Sequence, residues 1–188
     1  MENSFRFRGN EVLKKRRPVD FAEQNAMTHD IEIRQIYVSE AHRFAGRHGK
    51  DPLDYPMKAS ETVECVAGKG IVGDRYFDYK PDFKGQLTLF SEEVYLELKR
   101  RFDRSDRGSE VFRRNVIVSG VDLNTLIGQE FRIGDVVMSG VEEAKPCYWM
   151  NQAFGDGAEE ALQGNGGLRV RLLTDGVLSV GSHQLVVA

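Results

Sequence analysis

Glu130-Phe131-Arg132-Ile133-Gly134-Asp135-Val136-Val137-Met138-Ser139-Gly140-Val141 is the stretch whose reading decides the fold. Two runs rich in apolar residues, Glu130–Ile133 and 136–141, flank Gly134-Asp135, a pair suited to a tight β-hairpin. Toward the C-terminus, Leu168, Val170 and Leu172 alternate with Arg169 and Arg171, as in a strand with one buried face. Thr174-Asp175-Gly176 then reads as a turn, with strands at 177–180 and 184–187. Toward the N-terminus, strands are expected at 115–118, ending at Gly120, at 86–90, at Thr62–Val66 before the Gly68/Gly70/Gly73 loop, and at 31–38. One helix stands out. Ser91 starts it, Glu92 and Glu93 occupy its first turn, and Val94, Leu98 and Phe102, with Tyr95, form an apolar stripe. Lys99, Arg100 and Arg101 complement the dipole at its end. Many short strands, glycine-rich turns and one clear helix predict a mainly β fold, a closed or nearly closed β-barrel with a few peripheral helices.

The 188 residues divide into a polar, flexible tail over 1–30, which holds the basic run 14–17, and a barrel domain over 31–188. Net charge is −3, and the tail conceals how acidic the body is: residues 18–188 carry 20 basic and 27 acidic side chains. Such a body is not expected to bind nucleic acid through its general field, so any anion must meet a local arginine cluster. No apolar run approaches a membrane span, and the opening residues do not read as a secretory signal. Two cysteines make no disulfide framework, which fits a reduced, cytoplasmic location.

Cys147 carries the most distinctive chemistry. It sits in Ala144-Lys145-Pro146-Cys147-Tyr148-Trp149-Met150, on a stiff turn and beside the only Trp. A thiolate is both a sulfur-transfer nucleophile and a soft-metal ligand, and Lys145 nearby favours the anion. The opposing reading is a buried structural thiol. Cys65, in the strand pattern Val63-Glu64-Cys65-Val66, reads as packing. Tyr148, Trp149 and Met150 either shield the thiol or pack in the core. Arg169 and Arg171, two apart on one strand face and about 6.5 Å from each other along it, offer an arginine wall; the alternative is a solvated face. Arg113 and Arg114, adjacent on a presumed strand, should face opposite ways, so that only one reaches a ligand and the other pairs with an acid. Asn115 either meets a ligand or closes a turn. Arg75 ends the glycine loop and is a better anion ligand than Lys69, while Gly73 lets backbone N–H groups converge and Asp74 pins the loop. His29, His42 and His48 fit no zinc spacing and read as solvated loop residues.

These pieces, in this order, resemble a MOSC domain, the C-terminal module of molybdenum cofactor sulfurases that also occurs alone. The matching stretches are Gly68-x-Gly70-Ile71-x-Gly73-Asp74-Arg75, Gln86-Leu87-Thr88-Leu89, Arg113-Arg114-Asn115-Val116 with Gly120-Val121-Asp122-Leu123, Leu126-x-Gly128-x-x-Phe131-x-Ile133-Gly134, Lys145-Pro146-Cys147, Gly166-Gly167-Leu168-Arg169-Val170-Arg171, and Gly176. They span roughly residues 31 to 187. Two positions depart from the family pattern: Tyr76 stands where relatives often carry His, and Gly181-Ser182 where they often carry Gly-Asp.

The resemblance implies a barrel that handles molybdenum cofactor (molybdopterin) or sulfur. It makes Cys147 the metal ligand or persulfide carrier, and Arg75, one of Arg113/Arg114, Arg169 and Arg171 the clamp on the anionic pterin. The first expectation is a reductase of small N-oxygenated compounds supplied by an electron-transfer protein. The second is a sulfur carrier charged on Cys147 by a separate cysteine desulfurase, the only place where pyridoxal phosphate would enter. The third is a non-catalytic cofactor-binding barrel.

Overall fold

The computed structural model describes residues 26–42 and 53–188; most of the expected tail, and His48, lie outside them. The hairpin forms where the sequence places it. β7 (Glu130–Ile133) and β8 (Val136–Glu143) pair antiparallel, with Ile133 opposite Val136. Gly134 turns the corner at φ +56°, a left-handed conformation that glycine adopts without a Cβ clash.

From this hairpin the sheet runs round to itself. β8 pairs with β9 (Leu168–Leu172), and β9 with β5 (Leu87–Ser91). β5 lies parallel to β6 (Val116–Ser119), and β6 pairs with β1 (Met27–Val38). β1 closes on β11 (Gly181–Val187), which returns to β7. Seven strands thus form a closed barrel, as expected, and closure leaves no free edge in the ring. β2 (Lys58–Ser60) adds to the end of β1. β3 (Thr62–Val66), β4 (Gly70–Ile71) and β10 (Gly176–Ser179) form a separate small sheet.

β1 begins at Met27, earlier than the expected start at 31, because Met27–Ile33 is paired along β11. A register shift between Ile33 and Gln35 bends the strand, so that one chain segment serves β11, β6 and β2 in turn.

The interior is filled by alternate residues. Val116 and Val118 face the barrel core, while Ile117 between them packs outside with Phe90, Phe112 and Phe154. The run reads as continuously apolar because helices cover its outer face. α1 (Glu92–Arg101) crosses between parallel β5 and β6, as a parallel pair requires. The Ser91 Oγ accepts the Val94 N–H at 3.2 Å, and Leu98 is buried. The other two peripheral helices, α2 (Trp149–Ala153) and α3 (Ala158–Ala161), were not located in the sequence, because each is too short to show a periodic stripe. Trp149 and Met150 belong to the outer core cluster, so packing rather than shielding of the thiol fixes them. Among the described residues, no helix is long and apolar enough to cross a membrane.

Candidate functional site

The site is built on the loop after β4. Gly73 lies exposed at φ +82° and makes the turn; it does not line the cavity described below. Asp74 is buried and accepts from the backbone N–H of Ser39 (3.3 Å) and Tyr76 (3.1 Å), from Asn115 Nδ2 (3.1 Å) and from Arg75 Nη1 (3.3 Å). It pins the loop, since a buried carboxylate is tolerable only when satisfied in this way. Asn115 is also committed: its Nδ2 also donates to the Tyr37 carbonyl, and its Oδ1 accepts from the Thr88 N–H and hydroxyl. Neither residue lines the cavity described below; Asp74 holds Arg75, and Asn115 holds Asp74.

Arg75 Nη2 donates to the Arg113 carbonyl at 3.1 Å, and Nη1 also reaches Met57 Sδ at 3.6 Å. Its guanidinium lies 4.9 Å from the Tyr76 ring centroid. Its Nε–H is sealed from solvent and has no acceptor among the described residues. A buried donor without a partner costs roughly 1–3 kcal/mol, and an N–H closed to water is equally closed to an anion in the cavity, so this one is not among the groups that would bind a ligand.

Arg113 and Arg114 occupy a turn between the 3-10 segment Ser109–Phe112 and β6, not a strand. Arg113 has φ +56°, and this twist overturns the expectation that the two side chains diverge: both line one cavity. Arg113 donates to the carbonyls of Tyr55 (3.0 Å) and Ala41 (3.1 Å). Arg114 donates to those of Gly166 (2.8 Å), Phe112 (3.0 Å) and Ala144 (2.6 Å). These carbonyls orient the two guanidiniums. Burial first, then the charge of Arg169, brings the Arg114 pKa down to about 10, and Cys147 works in the opposite direction. Gly167, at φ +103°, makes room for this arrangement; a Cβ there would sit 2.4 Å from the Leu89 carbonyl oxygen.

Arg169 and Arg171 do share a face of β9, but only Arg169 reaches the cavity. Arg169 pairs with Glu142 at 3.4 Å, whereas Arg171 turns to Asp82 at 2.9 Å. Lys69 is spent on exposed Asp78 at 3.3 Å.

The resulting cavity, about 300 Å³, is lined by Arg75, Arg113, Arg114, Arg169 and Lys80, together with His42, Tyr76, Tyr79, Phe83, Thr88 and Ala144. No carboxylate is among the described residues that line it. Sequence reasoning missed Lys80, Tyr79 and Phe83, and singled out Tyr76 only as a departure from the family pattern. Tyr76 and Phe83 centroids are 5.0 Å apart, and Lys80 Nζ lies 5.5 Å from the Phe83 ring centroid. The signal available was the aromatic density of Tyr76-Phe77-Asp78-Tyr79-Lys80-Pro81-Asp82-Phe83. His42 lies edge-on to Tyr76 at 5.0 Å. Partial burial and then Arg75 and Arg113 hold its pKa below the ordinary imidazole value. His29 is on β1 rather than in a loop. Among the described residues, no group of three His, Cys, Asp or Glu is placed to hold a metal.

Cys147 is exposed, in the connection between β8 and α2, which excludes the buried-thiol alternative. It does not itself line the cavity; it follows Ala144, which does, by three residues, and it is among the groups that act on Arg114. Lys145 is exposed and does not line the cavity. Cys65 is sealed in the barrel, and burial pushes its thiol up to about 12, consistent with packing alone. The arrangement offers one accessible thiol beside a cation-lined, aromatic-edged recess: chemistry suited to an anionic ligand and a soft atom.

A family model described as MOSC domain matches residues 47–183. No curated protein matches the sequence. Among solved structures, the YuaD protein from Bacillus subtilis superposes with TM-score 0.67 at 18% identity, over 87% of this chain and 98% of that one. YiiM from Geobacillus stearothermophilus gives 0.62 at 16% identity, over 84% and 75% of the two chains. YiiM from Escherichia coli gives 0.57 at 18%, over 86% and 70%. At these identities the structural likeness speaks for the fold alone.

Proposed function

The chain belongs to the MOSC domain family, and from that membership together with the cationic cavity beside Cys147 we propose that it is a cytoplasmic, molybdenum-cofactor-dependent reductase of N-oxygenated compounds. The observation that carries this reading is the convergence of Arg75, Arg113, Arg114 and Arg169 on one recess that no described carboxylate lines. Molybdopterin brings a phosphate and polar pterin edges, and the residues suit it. Planar guanidiniums bind phosphate through paired hydrogen bonds, and the rings of Tyr76, Tyr79 and Phe83 offer flat surfaces for a flat ligand.

Arg75, Arg113, Arg114 and Arg169 would hold the cofactor, and the Cys147 thiolate would ligate its metal. When bound, the cofactor supplies two-electron reduction, by which an N-hydroxylated compound, two electrons and two protons give the parent amine or amidine and water. The chain does the rest. The guanidiniums neutralise and orient the anion, and the carbonyls behind them fix their directions. The electrons require a separate electron-transfer protein. The test is reduction of an N-hydroxylated compound by the cofactor-loaded chain with an artificial electron donor. Wild type should turn over, and Cys147→Ser should not. Equal rates in the two would end the proposal.

One observation favours a second reading. The Cys147 thiol is open to solvent, as a sulfur carrier serving a cysteine desulfurase would need. That reading predicts a persulfide adduct on Cys147 by mass spectrometry and no turnover.

A further inference from the structure

His42 lines the same cavity as the four arginines and Lys80. The residues that build the site also fix its place. The Arg75 backbone N–H donates to the Ser39 carbonyl at 2.7 Å. The Ala41 carbonyl accepts from Ser39 Oγ (3.0 Å) and from Arg113 Nη2 (3.1 Å). Residues 39–41 are thus tied to the site loop and to a cavity arginine, and His42 follows directly. Its ring stands edge-on to Tyr76, the ring that also carries the Arg75 guanidinium at 4.9 Å. The side chain is exposed, and among the described residues neither ring nitrogen has a hydrogen-bond partner. Both nitrogens are therefore open to a guest in the cavity.

The charges around this imidazole are nearly all of one sign. Arg75 comes from the loop after β4, Arg113 and Arg114 from the turn before β6, Arg169 from β9, and Lys80 from the aromatic loop. Tyr76 and Tyr79, also in the lining, stay neutral near neutral pH. Glu40, on the histidine's own segment, is spent on Lys58 at 2.6 Å. Asp74 pulls the other way, but it is buried and already accepts four hydrogen bonds. Burial, then Arg75 and Arg113, thus favour the neutral ring while no anion is present. An anion among the guanidiniums offsets their repulsion. A protonated imidazole then gains a charged partner and offers it two N–H donors.

We propose that His42 is a further anion ligand of this cavity, one that takes up a proton as the cavity fills and returns it as the cavity empties. The inference rests on the reading of the cavity as an anion site, not on the reductase chemistry. The sign follows from linkage: the anion binds more tightly in acid, and the gain is lost as pH rises through the pKa of the occupied state.

The full chain is titrated with sulfate by calorimetry, at constant ionic strength and in buffers of different ionisation heat. Sulfate keeps its charge across the window, so any proton exchanged belongs to the protein. Wild type should take up a fraction of one proton per sulfate bound. Its affinity should rise about fivefold, the low end of ordinary coupling between two bound groups, as pH falls from about 8 to about 5. His42→Gln, at an exposed position, should still bind sulfate but take up no proton and lose the slope. The imidazole resonance missing from that variant identifies His42 by NMR, and saturating sulfate should move its titration midpoint upward. Sulfate binding without proton uptake, a slope retained in His42→Gln, or an unmoved midpoint would overturn the role of His42 and leave the anion site standing. No saturable binding of sulfate or of pyrophosphate would overturn both.

Discussion

Cys147 and Cys65 present the same atom in opposite settings. One is exposed beside Arg114; the other is sealed in the barrel with its thiol pushed up to about 12. A chromogenic disulfide reagent should therefore titrate one thiol in the native chain and the second only in denaturant; two fast thiols would contradict the assignment. Cys65 also fixes a pH dependence. Its folded pKa lies above the ordinary value, so its contribution to stability is complete below about 9 and is lost as pH rises toward about 12, where the folded thiol also ionises. Wild type should lose melting temperature across that window more steeply than Cys65→Ala. Arg169 is half-exposed and lines the cavity. Arg169→Ala should weaken pyrophosphate binding by about 1.5–3 kcal/mol, the range for a hydrogen bond to a charged group, with little change in the unfolding midpoint. Calorimetry and urea unfolding separate the two effects.

At the scale of elements, what the sequence displayed locally was legible. The β7–β8 hairpin and α1 carry their signals in adjacent residues: a Gly-Asp turn, a Ser cap, an apolar stripe. Ser91→Ala should cost about 1 kcal/mol in chemical denaturation and leave anion binding intact, because the cap lies outside the cavity lining. Where reading failed, the signal was nonlocal or too short. α2 and α3 span 5 and 4 residues, less than periodicity can detect. The Arg113-Arg114 pair looked like strand, but the left-handed turn at Arg113 brings both side chains to one side. Arg171 shares its strand face with Arg169, yet an acid from a distant loop, Asp82, captures it. Gly167 belongs to this scale as well. Gly167→Ala should cost about 1–3 kcal/mol and also loosen pyrophosphate binding, since the Cβ would press on the Leu89 carbonyl beside Arg114.

For the whole molecule, closure is the organising fact. The alternation of β9 and the strand count predicted a barrel, but not that β1 must bend to serve three neighbours. Leu185, fully buried on β11, sits at the seam where β1 and β7 meet the same strand. Leu185→Ala should cost about 2–5 kcal/mol, with an unchanged dependence of stability on urea. Closure also delivers the chemistry. Loop 73–76, the turn at 113–114 and strand β9 are far apart in sequence, yet they bring Arg75, Arg113, Arg114 and Arg169 to one recess near Cys147. The most direct test of this account is molybdenum and pterin analysis of the full chain, freshly purified from a host that makes the cofactor, beside Cys147→Ser and Arg169→Ala. The account predicts metal and pterin together, near stoichiometric in wild type, with metal lost from the first variant and both reduced in the second. A wild-type chain free of metal and pterin, carrying a persulfide on Cys147, would contradict it.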